Sequence, residues 1–314
     1  MATGASSNQL RSAYIKETAI GTTPTTPAFT TGDPFMLTAG AVLASKRSLP
    51  AGGGRDASTP ASLPVAGTKR GMLIYGREDD LLETLLQGAW TADVLKDGKT
   101  PKTVSVENAI PAGVGGTTTM MRYRGVQAVG GSLIMEANRE IEYSFDLRGI
   151  GSDDASTSII TGATYSDPTV DVPMVASFDV SVLTVGGGTL DGIQRCEVLF
   201  NYEDRTDQPV VGNSFDLNGI TPGAFLPEIR LRCFVDANFA AIYNSARDED
   251  VAFVCDINLG RTAGSKYTID FPDCHFGPSA LDFSGAEGFH DIVVLPNYDP
   301  TGDSAICKIT RAVS

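Results

Sequence analysis

The chain spells one series of elements twice. Residues 67–148 read as strand, short amphipathic helix, strand, glycine-rich hairpin, strand, connector and closing strand. Residues 227–298 read as the same elements in the same order, displaced by roughly 150–160 positions. Two matched β-rich units in one chain make a symmetric building block, because each unit presents related surfaces. The 314 residues leave room for about two domains.

The first unit opens with a strand around Phe35–Ala44, and the second with Ile193–Tyr202, where Gln194, Cys196, Val198, Phe200 and Tyr202 share a face. A long Gly/Pro-punctuated excursion follows each, at 45–66 and at 203–225. Both exceed the usual length of a loop in a compact domain, which marks them for function or disorder. Lys69–Arg77 and Glu228–Asp236 are strand-like, and each runs into a predicted helix. The first helix covers about Asp79–Gln87, with Leu81, Leu82, Leu85 and Leu86 on its apolar side. Asp80 and Glu83 are spaced as a capping box, and Gly88 is placed to stop the helix. The second covers about Asn238–Ala246, with Phe239, Ile242, Tyr243 and Ala246 at helical spacing. Helices this short need a sheet to lie on.

Trp90–Lys96, Asp97-Gly98 and Thr103–Glu107 predict a type I′ hairpin that the second half lacks. A second hairpin recurs in both halves, joining Thr103–Asn108 to Thr117–Val129 and Val251–Leu259 to Lys266–Phe271. In the first closing strand Ile141, Tyr143, Phe145 and Leu147 form one face, and Glu140, Glu142, Ser144 and Asp146 the other. Asp291–Leu295 closes the second unit, and Ala305–Thr310 adds a last strand. The expected organisation is an extended arm at 1–34, a first unit at 35–150, a linker at 151–171 and a second unit at 172–314. A buried edge strand near Tyr14 and Ile15 is the alternative for part of the arm. The fold class is mainly β: two tandem sandwich- or barrel-type domains, each flanked by one short helix.

A net charge of −14 is the wrong sign for a clamp that neutralises phosphates. It also disfavours attachment to anionic membranes. It suits a surface to which DNA does not adhere, and plain solubility accounts for it equally well. The polar first residues lack a signal pattern, and no apolar run approaches the ~18 residues of a membrane span. Cys196, Cys233, Cys255, Cys274 and Cys307 are odd in number and form no CxxC. Their place on alternating apolar faces predicts buried free thiols, which fits assembly in a reducing cytoplasm.

No catalytic constellation emerges. His275 and His290 are the two histidines. Cys274 and His275 are adjacent on a strand and point to opposite faces, so they do not share one ion. The glycine runs at 52–54, 113–116 and 186–188 match neither a dinucleotide fingerprint nor a phosphate loop. Gly-x-Ser-x-Gly is absent. Asp248-Glu249-Asp250 and Asp299–Asp303 do not match a calcium-binding EF-hand loop. No catalytic residue, metal ligand or cofactor is assigned.

Tyr14-Ile15-Lys16-Glu17-Thr18-Ala19-Ile20-Gly21-Thr22-Thr23-Pro24 resembles the N-terminus of tail tube proteins from long-tailed, siphovirus-type bacteriophages. Gly67–Trp90, ending Leu85-Leu86-Gln87-Gly88-Ala89-Trp90, is similar to that family's strand-plus-helix segment. Val94–Gly98 and Thr103–Glu107 resemble its next hairpin; Phe271-Pro272 and Ile309-Thr310-Arg311 resemble its closing segments. The resemblance spans nearly the whole chain, carried by order and spacing.

This resemblance implies β-sandwiches whose inner sheets join around a ring, and rings stacked into a hollow tube that conducts the genome. It implies no catalytic centre. It places the protein in the virion tail, assembled in the cytoplasm of the infected bacterium. The expected partners are further copies of the chain, tail terminator and tail tip or tape-measure proteins, with double-stranded DNA passing through unbound and no membrane. Because family rings typically carry six domains, two units per chain imply a trimeric ring, with a hexamer as the alternative. Glu140, Glu142 and Asp146 are the candidate lumen-facing acids. Tyr14, Lys16, Lys46, Arg47, Arg55, Asp56, Glu203, Asp204 and Arg205 are the candidate contacts between rings or subunits. Rival roles are a head–tail connector, a capsid or tail decoration protein, or a virion carbohydrate-binding sandwich.

Overall fold

A computed structural model of the chain describes residues 10–44, 59–111, 116–167, 172–185, 188–189, 192–212, 216–235, 244, 252–285 and 287–311. It is mainly β. The first half contains β1 (Arg11–Lys16), β2 (Ala28–Gly32), β3 (Phe35–Ala39), β4 (Val42–Ala44), β5 (Thr59–Ser62), β6 (Val65–Met72), α1 (Asp79–Leu86), β7 (Val94–Lys96), β8 (Val104–Ile110), β9 (Thr119–Glu136) and β10 (Glu142–Gly149). The connection holds β11 (Gly151–Ser152), β12 (Thr164–Ser166) and α2 (Ala176–Asp179). The second half contains β13 (Val180–Val185), β14 (Gly188–Thr189), β15 (Ile193–Phe200), β16 (Tyr202–Glu203), β17 (Asp207–Gln208), β18 (Gly219–Ile220), β19 (Ala224–Phe225), β20 (Glu228–Phe234), β21 (Phe253–Leu259), β22 (Tyr267–Asp282), β23 (Phe289–Asn297) and β24 (Lys308–Arg311).

Alternation builds the principal sheet. In β10, Tyr143, Phe145 and Leu147 are buried while Glu142 and Asp146 are exposed. Strands β3, β6, β10 and the C-terminal half of β9 form an antiparallel quartet in that order. Strands β15, β20, β23 and the C-terminal half of β22 form a second. The quartets join where β15 pairs with β9, from Arg195 opposite Glu136 to Phe200 opposite Gly131. One continuous antiparallel sheet results.

Strands β9 and β22 run for 18 and 16 residues and pass from this sheet into the second layer. There they pair with β8 and β21. Both pairings slip by one residue at matched places. Val104 faces Val126 before Val106 faces Tyr123, and Phe253 faces Cys274 before Cys255 faces Phe271. A bulge of this kind bends a strand, which is what crossing between layers requires.

Residues 11–32, expected as an arm, enter the second layer. Strand β1 lies between β2 and β8, so it is no edge, and Tyr14 is buried with its hydroxyl on the Arg77 carbonyl. Their Ser/Thr/Gly composition hid the pairing, because Ser12 is itself buried and donates to Asn108 Oδ1 at 2.6 Å. The 151–171 connection is also attached, with β12 parallel to β2 and β11 on β9.

Helix α1 forms where predicted. Its four leucines are buried on the sheet, each contributing about 1.5–3 kcal/mol. Its capping differs from the expectation. Glu78 is the N-cap and makes no side-chain cap, while Glu83 accepts from the Trp90 amide at 2.9 Å. Gln87 takes the left-handed turn at φ 53°, and Gly88 serves close packing, since a Cβ there would lie 2.1 Å from the Lys96 carbonyl. The predicted Asp97-Gly98 hairpin does not form. Strand β7 pairs with the C-terminal β24, because Asp97 Oδ1 accepts the Ile306 and Cys307 amides at 2.6 and 2.8 Å. The predicted helix at 238–246 falls outside the described residues, Asn244 excepted. One core runs beneath both quartets, and all five cysteines are buried, with no disulfide between them.

Candidate functional site

The face of the principal sheet turned away from the core carries ordered rows of polar side chains. Register fixes its rows. Arg70, Ser144, Ser132, Leu199 and Glu228 stand side by side across five strands. Met72, Glu142, Ile134, Glu197, Arg230 and Val293 form the next row. Glu136, Arg195, Arg232, Asp291 and Ala280 form a third.

Glu142 and Asp146 sit on this face, as the alternation predicted. Glu140 lies outside β10 and makes an isolated bridge to Val175, because the strand begins two residues later. The face carries both signs of charge. Arg195 pairs with Glu197 at 3.3 Å, Arg230 with Glu228 at 2.5 Å, and Arg232 with Asp282 and Asp291 at 2.6 and 2.9 Å. Hydrogen bonds from Ser284 and then Arg232 hold the Asp282 carboxyl far below the usual range. Alternation in β15 and β20 puts Arg195, Arg230 and Arg232 on the side opposite Cys196, Leu231 and Cys233. Paired charges on a sheet satisfy one another and leave a polar surface with little free cation to hold a phosphate backbone.

The two excursions leave the same end of the sheet. In the first, β4 pairs with β5. In the second, β16 pairs with β19 and β17 with β18. Val42 and Leu43 are half exposed on one ribbon, and Val211 is fully exposed on the other. Lys46, Arg47, Arg55 and Asp56 fall outside the described residues. Glu203 and Asp204 are exposed, so they remain available for contacts.

Arg205 is not available. It is buried and donates to the Leu85 and Thr84 carbonyls at 3.3 and 3.1 Å and to Gln127 Oε1 at 2.9 Å. Tyr202 donates to the same Leu85 carbonyl, and Gln87 Nε2 donates to the Pro222 carbonyl at 2.7 Å. The second excursion thereby satisfies the open carbonyls at the C-terminus of α1. A charged residue in a long loop signals exposure from sequence alone; only the fold brings it to a helix end. Tyr14 is buried likewise, and Lys16 pairs with Glu83 while staying partly exposed.

The sheet made by the two quartets has two outer edges among the described residues. Strand β3 pairs only with β6, and Ser279–Asp282 of β22 pair only with β23. Neither Phe35–Ala39 nor Ser279–Leu281 carries a charge. Natural sheets guard solvent-facing edges with lysine, proline or bulges; the β3 edge is covered in part inside the chain, where the Phe35 amide donates to Ser12 Oγ at 3.0 Å and the Phe35 and Leu37 carbonyls accept from Asn108 Nδ2 and the Tyr123 hydroxyl at 2.8 and 3.0 Å.

A family model described as phage tail tube protein matches residues 7–306. The chain belongs to that family. No curated protein matches it. Membership makes this a structural tail tube protein of the virion tail that assembles with itself.

Proposed function

We propose that three copies of this tail tube protein close a ring of six related units, and that such rings stack into a non-contractile, siphovirus-type tube that conducts DNA. The observation that carries this reading is the β9–β15 junction. Two quartets of equal strand order meet there edge to edge, so one chain already contains one unit-to-unit contact of the ring. On this reading residues 35–150 and 172–314 are tandem tube domains, the first completed by β1 and β2. The polar face lines the bore, with Glu142 and Asp146 on its wall. Carboxylates there repel phosphates, and the paired arginines are held back from them, so DNA slides. The long loops at 45–66 and 203–224, with the N-terminal arm, meet the neighbouring ring. Tail terminator, tail tip and tape-measure proteins would bound the tube.

Electron microscopy of the purified protein tests the reading. Long tubes of uniform bore are expected. Persistent monomers, even with tail-initiating proteins added, would refute it. A reconstruction with Glu142 and Asp146 on the tube exterior would refute the assignment of the lumen.

A further inference from the structure

We propose that one proton, held between the Asp256 and Asp270 carboxylates, governs how tightly β24 of the second half grips β7 of the first. The grip lies within a single chain and does not depend on the ring.

Register lines up one row of side chains across five strands. Thr184 of β13 faces Asp256 of β21, Asp256 faces Asp270 of β22, Asp270 faces Lys308 of β24, and Lys308 faces Lys96 of β7. Two of these pairs set like charges directly opposite each other, which weakens a ladder. Each needs something between its members. For the lysines it is Asp303, whose Oδ1 lies 3.1 Å from Lys96 Nζ and whose Oδ2 lies 2.7 Å from Lys308 Nζ. Asp299 fixes that turn by accepting the Asp303 amide at 3.0 Å. Lys308 Nζ also lies 3.1 Å from Asp270 Oδ2. For the carboxylates it is a proton. They stand within hydrogen-bond reach of each other, and an ionised carboxylate can only accept.

Counting charge gives the same answer. Asp256, Asp270 and Asp303 meet Lys96 and Lys308, so one proton makes this row neutral. Burial, then the Asp270 charge, raises the Asp256 pKa to about 6, against the pull of Lys308. The proton is therefore held in mild acid and released near neutrality. Once it leaves, two ionised carboxylates compete with Asp303 for Lys308. Drawn toward them, Lys308 loosens its hold on Asp303, and the carboxylate bridge between β24 and β7 is held from one side only.

The neighbouring contacts do not share this response. Arg311, at the far end of β24, pairs with Asp93 and Asp79 at 2.9 and 2.5 Å. The β9–β15 junction sets Arg195 opposite Glu136, which are opposite charges. Asp97 meets the approach to β24 from the other side, its Oδ1 on the Ile306 and Cys307 amides, and burial raises its pKa as well. It is the competing titration that the test must separate.

Hydrogen–deuterium exchange of the full chain, corrected for the intrinsic pH dependence of amide exchange, reads the grip. The Asp97 amide donates to the Cys307 carbonyl at 3.1 Å, so it reports the seam directly. From about pH 5 to about pH 7.5 the amides of 94–97 and 305–309 should lose about tenfold in protection, the ratio given by a carboxyl pKa of about 6 folded and 3.8 unfolded. Strand β10 should not change. Asp256→Asn hydrogen-bonds Asp270 without titrating and should keep the seam tight throughout. Lys96→Met removes the opposed lysines and should flatten the response of 94–97 while Asp256 still titrates. A loss in wild type that both variants abolish supports the proposal. No loss in wild type overturns it, as does an equal loss in β10. A loss that persists in Asp256→Asn assigns the titration to Asp97 and also overturns it. Should Asp256→Asn fail to fold, wild type against Lys96→Met decides on the same readout.

Discussion

The two quartets share an order of strands and differ at their centres. Lys69 occupies the middle of β6 with no exposed surface; Leu231 stands at the matched place in β20. Lys69 Nζ lies 2.5 Å from Glu78 Oε2 and donates to the Tyr143 hydroxyl at 3.0 Å. The Tyr143 hydroxyl donates to Glu78 Oε1 at 2.8 Å, and Arg77 pairs with Asp33 at 2.9 Å. The ammonium also lies 5.0–5.5 Å from the rings of Tyr14, Phe35 and Tyr143. Burial pushes the Lys69 pKa down, against the pull of Glu78. Around Leu231, by contrast, stand Cys196, Ile292 and Ile229.

Buried ion pairs seldom add net stability over an apolar core, because both charges must leave water. What they add is a single acceptable geometry. The Lys69 cluster ties β1, the β2–β3 bend and the entry to α1 at one point, through Tyr14, Asp33 and Arg77. The difference teaches that the first unit uses polar contacts to seat the N-terminal strands, while its partner relies on shape.

The largest expected effect breaks that contrast on one side. Lys69→Ala strands a buried Glu78 and should cost about 3–5 kcal/mol in denaturant unfolding. Lys69→Leu combined with Glu78→Leu removes both charges and should recover most of the loss. A double variant no more stable than the single one would show that the cluster acts through more than charge pairing.

The second contrast is between covered and open edges. Leu133→Ala should cost about 2–5 kcal/mol in the isolated chain, as buried leucines do. Leu281→Ala, at the matched exposed place, should fall within about 0.5 kcal/mol. Equal costs would mean that the open edge is covered within the chain.

A smaller loss, about 1–3 kcal/mol, is expected for Arg205→Ala, which removes the donor to the Thr84 carbonyl and Gln127 Oε1 while Leu85 keeps Tyr202. An unchanged thermal midpoint would remove this clamp from the account.

A pH-dependent effect lies in the second layer. Burial, then the charge of Asp270, pushes the Asp256 carboxyl up to about 6. An acid with a higher pKa folded than unfolded holds its proton more tightly in the native state. Its contribution to stability is complete below about 3.8 and is lost as pH rises through about 6. The wild-type thermal midpoint should therefore fall relative to Asp256→Asn between about pH 4 and pH 7. Parallel profiles would contradict the pairing.

Much of this was legible in the sequence, and the misses share a cause. Strand alternation in 141–147 and 229–235 placed β10 and β20, and the leucines at 81, 82, 85 and 86 placed α1, because periodicity is a local property. The exposure of Glu142 and Asp146 on β10 followed from the same alternation. The Asp97-Gly98 turn failed because β24, more than two hundred residues on, competes for β7. Arg205 failed because a helix terminus in the other half needed donors. Nothing local marks Ser12 and Lys69 as buried, since sequence reports polarity and not the partner that satisfies it. Each miss is a long-range contact overriding a local signal.

Native mass spectrometry of isolated rings tests the central claim most directly. The account predicts three copies of the chain per ring, each supplying two units. Six copies per ring would contradict it, and would turn the second quartet from a ring member into an outward addition.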